Sequence, residues 1–66
     1  MGWVGNDAAK DFYERYGGTW HFLAKVRPRR DEFVATLISV GEVGEYATQE
    51  EAQVAAVGFI KLLKEN

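Results

Sequence analysis

Sixty-six residues, ten acidic and eight basic side chains, a net charge of −2 and no cysteine describe one small domain, near the lower limit for a chain that buries a core without cross-links. A disulfide framework and a thiolate metal site are excluded, and the single histidine, His21, cannot supply a histidine-rich metal site or a Cys–His catalytic pair. Hydrophobic residues at 47% and aromatics at 14% argue for a folded globule, and the mild negative charge gives no general attraction to nucleic acid or an anionic membrane.

In chain order, "NDAAKDFYERYGG" (6–18) opens with Asn6 or Asp7 as a cap and closes on Gly17 and Gly18. It reads as a helix with a glycine stop, with Ala9, Phe12, Tyr13 and Tyr16 on one face and Lys10, Asp11 and Glu14 on the other. "TWHFLAKVR" (19–27) alternates Trp20, Phe22, Ala24 and Val26 against His21, Leu23, Lys25 and Arg27, the pattern of a half-buried strand. "PRRDE" (28–32) is a polar turn opened by the only proline. "FVATLISV" (33–40) predicts a central strand, apolar on both faces. After "GEVG" a short third strand is expected at Gly44 to Ala47, lying at the sheet edge.

Thr48 and Glu51 have the spacing of a capping box, so a last helix is expected from Gln49 to Glu65. It would bury Ala52, Ala55, Ala56, Phe59, Ile60 and Leu63 and place Lys61 and Lys64 near its C-terminus, where cations suit the dipole. Gly58 in its interior costs about 1 kcal/mol relative to Ala, which calls for a close packing approach there. The predicted class is α+β, ordered α-β-β-β-α: a three-stranded antiparallel sheet with two helices on one face. The whole chain, 1–66, is one domain, residues 1–5 lying outside its elements as a flexible end. No apolar run reaches a transmembrane length, and Asn6 stands where an N-myristoylation signal needs Ser or Thr. A soluble intracellular protein is expected, with no membrane partner.

With that order in hand, "EFVATLISVGEVGEYAT" leading into "QEEAQVAAVGFIKLL" resembles a double-stranded RNA-binding domain (dsRBD) over about residues 6–65. The resemblance is carried by Phe33, the Val-Gly turn, Gly44, Thr48 and the ladder Ala52, Ala55, Ala56, with "AKDFYERYGG" matching the family's first helix. It implies three RNA contacts, made by shape to two minor grooves and the phosphates between them. The first is helix 1, through Lys10, Asp11 and Glu14. The second is a loop matched by Arg27, Pro28, Arg29 and Arg30, which keeps the proline but lacks the family's usual Gly and His. The third is a lysine cluster opening the last helix, whose positions are held here by Gln49, Glu50 and Gln53. This is a phosphate grip without its cations, and Glu50 directs a negative charge where a phosphate would sit. Read without the resemblance, Glu50 and Glu51 simply stabilise the first turn of a helix. Both readings lead to weak RNA binding.

No phosphate loop, nucleophile elbow or metal-ligand spacing occurs, and adjacent acids such as Glu50–Glu51 or Asp31–Glu32 point different ways. The expectation is therefore a chain that is not an enzyme, with no cofactor, metal or small-molecule substrate. His21, between Trp20 and Phe22, reads as a packed or sheet-surface residue. Apolar side chains outside the expected core, on the second strand and the last helix, predict a protein interface made of Val34, Thr36, Ile38, Glu45, Tyr46, Val54, Val57 and Lys61. Two functions of different class follow. One is an interaction module, binding a protein partner or a second copy (dimerisation), with weak residual double-stranded RNA binding. The other is a nucleic-acid-binding domain for double-stranded RNA, or for DNA through a three-stranded sheet. The DNA reading needs Arg and Lys alternating outward on every strand, and the second strand has none, which favours the interaction module.

Overall fold

A computed structural model describes residues 2–65. It corrects the predicted architecture: five antiparallel strands form a sheet in sequence order, and one helix follows them. The elements are β1 (Gly2–Asn6), β2 (Ala9–Tyr16), β3 (Thr19–Arg29), β4 (Glu32–Leu37), β5 (Gly41–Tyr46) and α1 (Gln49–Glu65). The helix expected over 6–18 does not exist. Residues 2–5, expected to lie outside the folded elements, belong to the edge strand β1.

The physical reason lies at the two ends of β2. Asn6 Oδ1 accepts hydrogen bonds from the backbone N–H of Ala8 (2.9 Å) and Ala9 (3.1 Å), closing a tight turn between β1 and β2. At the other end Gly17 (φ 62°) and Gly18 (φ 77°) both take the left-handed conformation. That pair of positive angles suits a two-residue type I′ hairpin, whose twist matches antiparallel strands. The glycines join β2 to β3 and do not terminate a helix. Strand alternation then sends Phe12 to the core, while Tyr13 pairs with Phe22 on the opposite face.

β3 carries a second correction. Phe12 pairs with Ala24 but Tyr13 pairs with Phe22, so Leu23 is an extra residue opposite the Phe12–Tyr13 step. This bulge shifts the alternation by one. Ala24 and Val26 are buried and Leu23 packs against the core, whereas Trp20 and Phe22 point to the other face. A similar shift at Val43 lets β5 turn Val43 toward the core beside Gly44. Pro28 lies one residue before the end of β3, in the ladder opposite Phe33, near the turn, where a missing N–H is best tolerated.

α1 lies across β3, β4 and β5. Its start is as the sequence indicates: the Thr48 hydroxyl accepts from the Glu51 N–H (3.1 Å) and bonds the Glu51 carboxylate (3.0 Å). The contact between helix and sheet is built from small residues. Ala52 and Ala56 on α1 meet a sheet surface containing Ala24 and Ala35, and all four are fully buried with Val26, Leu37, Phe12 and Ile60. Ala55 is half-buried, while Phe59 and Leu63, expected in the core, are exposed. Trp3 on β1 covers Phe12, with ring centroids 4.9 Å apart. No helix among the described residues is long and apolar enough to cross a membrane.

Candidate functional site

The residues assigned to RNA contact by resemblance do not form the arrangement that assignment requires. Lys10, Asp11 and Glu14 stand on strand β2 and so alternate between the two sheet faces. Asp11 pairs with Arg27 across β2 and β3 at 2.9 Å. Glu14, on the helix side, pairs with Lys64. Arg27, Pro28 and Arg29 belong to β3, not to a loop; only Arg30 lies in the turn, at φ 58°. Arg29 bonds Glu42 and reaches Glu45 at 3.4 Å. The hydrogen bond that Arg29 donates to Glu42, and then the charge of that carboxylate, raise the Arg29 pKa, so the cation is held by carboxylates of β5.

At the start of α1, Gln49 is buried and has a structural task. Its Nε2 donates to the backbone carbonyls of Asn6 (3.0 Å) and Asp7 (3.1 Å), fastening the β1–β2 turn to the helix. Glu50 is exposed and Gln53 half-buried. Replacing Gln49 by Ala removes both donated bonds and leaves two carbonyls without them, so the expected loss is about 1–3 kcal/mol. Urea unfolding with hydrogen exchange at residues 2–9 checks it, the expected change being faster exchange there than in β4.

The expected protein interface is also divided. Val34 is on the face away from the helix but lies buried in a region lined by Lys25, Arg27, Arg29 and Glu42. Thr36 is beside it, half-buried. Ile38 is exposed in the turn after β4. Glu45 is engaged by Arg29. Tyr46 packs against the core on the helix side, and so does the half-buried Val57; neither is available as an open surface residue. Val54 and Lys61 are exposed on α1. β5 is an edge strand as expected, but β1 is the second edge and was not foreseen.

Two surfaces emerge instead. The first is the open sheet face at its β1–β3 end. Tyr13 and Phe22 are in ring contact there, centroids 5.3 Å apart, and Gly2, Trp3, Val4, Tyr13 and Trp20 line one shallow hollow. Val4 and Trp20 are each 55% exposed. The missed signal was the Gly-Gly pair: read as a hairpin, it fixes which aromatics face outward. His21 takes no part, because it stacks on Tyr16 on the helix side with ring centroids 3.8 Å apart. The second surface is the outer side of α1, where Val54 and Leu62 are exposed; Phe59 and Leu63 are exposed nearer the sheet, Leu63 beside Ile60 and Leu23.

At the charged end of the sheet Arg27 is paired to Asp11 and Arg29 to Glu42 and Glu45, while the exposed Arg30 in the turn joins no ion pair among the described residues. Arg15, opposite Trp20, and Lys25, opposite Asp11, join no ion pair among the described residues. No group of three or more potential metal-ligating side chains occurs among the described residues. No family model, curated protein or solved structure matches the chain.

Proposed function

We propose that this chain is a non-catalytic protein-interaction module that receives an apolar segment of a protein partner on the open face of its sheet. The observation that carries the reading is the joined patch of Val4, Tyr13, Trp20 and Phe22, outside the core and on the side opposite α1. Aromatic anchors of this kind dominate the energetics of protein interfaces. Arg15 and Lys25 border the patch without an intramolecular ion pair among the described residues, so the favoured partner segment carries carboxylates beside its apolar anchor. The pairing of Arg27 and Arg29 with the protein's own carboxylates supports a protein partner over a nucleic acid, since a phosphate would have to displace them.

Selection of displayed random peptides on the immobilised chain tests this. Enrichment of aromatic or aliphatic residues next to acidic ones is expected. Affinity for the selected peptides should fall by about tenfold or more when Trp20 and Phe22 are both changed to Ser. A single-stranded oligonucleotide at physiological salt should leave the tryptophan fluorescence unchanged. Quenching by the oligonucleotide, with no peptide selected, would replace this reading with a nucleic-acid one.

A further inference from the structure

Gly58 has no explanation inside the fold. It sits in the interior of α1, where glycine is the least favourable residue after proline, yet it is exposed and its backbone angle is ordinary. A Cβ added there would meet nothing within 4 Å. The glycine therefore leaves a notch on the outer side of the helix, at the border of a shallow hollow lined by Trp3, Val54, Val57 and Lys61. At 100° per residue it points almost directly away from the buried line Ala52, Ala56 and Ile60. Val54, one turn before it, is 74% exposed, more than any other large apolar side chain described, and Leu62, one turn after, is 57% exposed.

The same stripe carries charge in a self-complementary order. Glu51 lies one turn before Val54 and Lys61 nearly one turn after Gly58, both exposed. Glu51 and Lys61 are symmetric about the level of residue 56, and so are Val54 and Gly58. A second helix running antiparallel with its level 56 beside this one sets Val54 over the partner copy's glycine notch and Glu51 level with its lysine. One two-fold axis repeats both contacts. The opposed helix dipoles add to the match.

From this register we infer that the outer face of α1 receives a second copy of the same chain, as an antiparallel helix pair built on Val54–Gly58 and Glu51–Lys61 contacts. This face belongs to α1 and the proposed partner site to the sheet; Trp3 lines a hollow beside each, so the variants expected to weaken the dimer are placed on α1 alone. A single helix face lies at the low end of stable interface sizes, so the dimer is weak and concentration-dependent, with a Kd on the order of 10–100 μM.

Sedimentation equilibrium from about 1 μM to 1 mM tests it. Gly58→Leu fills the notch and improves helix propensity; it should weaken the dimer at least about tenfold while the monomer melts no lower than wild type. Glu51→Lys and Lys61→Glu each place like charges together, and each should weaken self-association by a similar factor; Glu51→Lys also removes the Thr48–Glu51 contact at the helix start, so its monomer is checked for the wild-type circular dichroism before mixing. Mixing those two variants restores both ion pairs in the heterodimer, and association near the wild-type level is expected. Three results would overturn the inference: a wild-type chain that stays monomeric throughout, full dimerisation of Gly58→Leu, or no recovery on mixing. Loss of the dimer in Trp20→Lys with retention in Gly58→Leu would move the second copy to the sheet face and overturn it as well.

Discussion

Replacing Phe12 by Ala is expected to lower the unfolding free energy by about 3–5 kcal/mol. For a chain of this length that is a large share of a total stability of roughly 3–10 kcal/mol. Phe12 is 3% exposed and belongs to a cluster whose other members include Ala24, Ala35, Ala52 and Ala56. Alanines have no side chain that can swing into the space left behind, so the cavity stays open and its cost is near the upper range. Trp3 also loses the ring beneath it. The matched control is Tyr13→Ala. Tyr13 is next in sequence but faces the open side of the sheet against Phe22, and its truncation should cost only about 1 kcal/mol. Urea titrations followed by circular dichroism give both values. Equal losses would mean that the two rings share one buried face, as they would on a helix, and would contradict the strand assignment of residues 9–16.

That comparison also shows where the sequence was ambiguous. In "NDAAKDFYERYGG" every local mark of a helix is present, and each has a second use. An asparagine whose side chain accepts from the N–H groups two and three residues ahead is an N-cap, and Asn6 does make those two bonds. In this chain they close a hairpin turn. Gly17–Gly18 stops a helix or forms a type I′ turn equally well. Phe12 and Tyr16 are four apart, which satisfies both periods; Tyr13 alone separates them, and only knowledge of its partner Phe22 decides. The hairpin pairing of β2 with β3 settles the choice, and it brings together Tyr13 and Phe22, which stand nine positions apart, beyond the three- and four-residue spacings that define a helix face.

The last helix was legible because its signals agree. Thr48, Glu51, the acidic first turn and the alanine ladder all indicate one start and one buried face; α1 has that start and buries Ala52, Ala56 and Ile60, but not Phe59 or Leu63. Its outer surface was legible only in part. Val54 and Lys61 were visible as outward residues, whereas Gly58 suggested close packing that the sheet does not provide. The aromatic surface was hidden for a different reason. Strict alternation in 19–27 puts Trp20 and Phe22 with Ala24 and Val26, and the extra residue Leu23 breaks that phase. A bulge leaves no mark in composition, so alternation alone groups the exposed Trp20 with the buried Ala24 and Val26.

Gly5→Ala is expected to be the most damaging change outside the core, with a loss of about 2–3 kcal/mol or more. Gly5 has φ 132°, a conformation that side chains rarely adopt, and a Cβ there would lie 2.0 Å from the carbonyl oxygen of Ala9. That oxygen belongs to the backbone of the paired strand, where Asn6 already fixes the turn through the Ala9 N–H. Neither strand can give way unless the hairpin opens. Opening it removes Trp3 from Phe12 and separates the Asn6 and Asp7 carbonyls from Gln49, so the damage passes from an edge turn to the core and the helix start. Two other glycines calibrate the effect. Gly2→Ala meets nothing and has no unusual angle, so a change within about 0.5 kcal/mol is expected. Gly17→Ala has free space but a left-handed angle, which costs about 1–2 kcal/mol. The predicted order is Gly5, then Gly17, then Gly2, read from denaturant midpoints, with accelerated hydrogen exchange across residues 2–9 in the first variant alone. A Gly5→Ala chain that unfolds at the wild-type midpoint would show that β1 does not pair with β2 in this register, and the aromatic hollow built on Gly2, Val4 and Tyr13 would lose its floor.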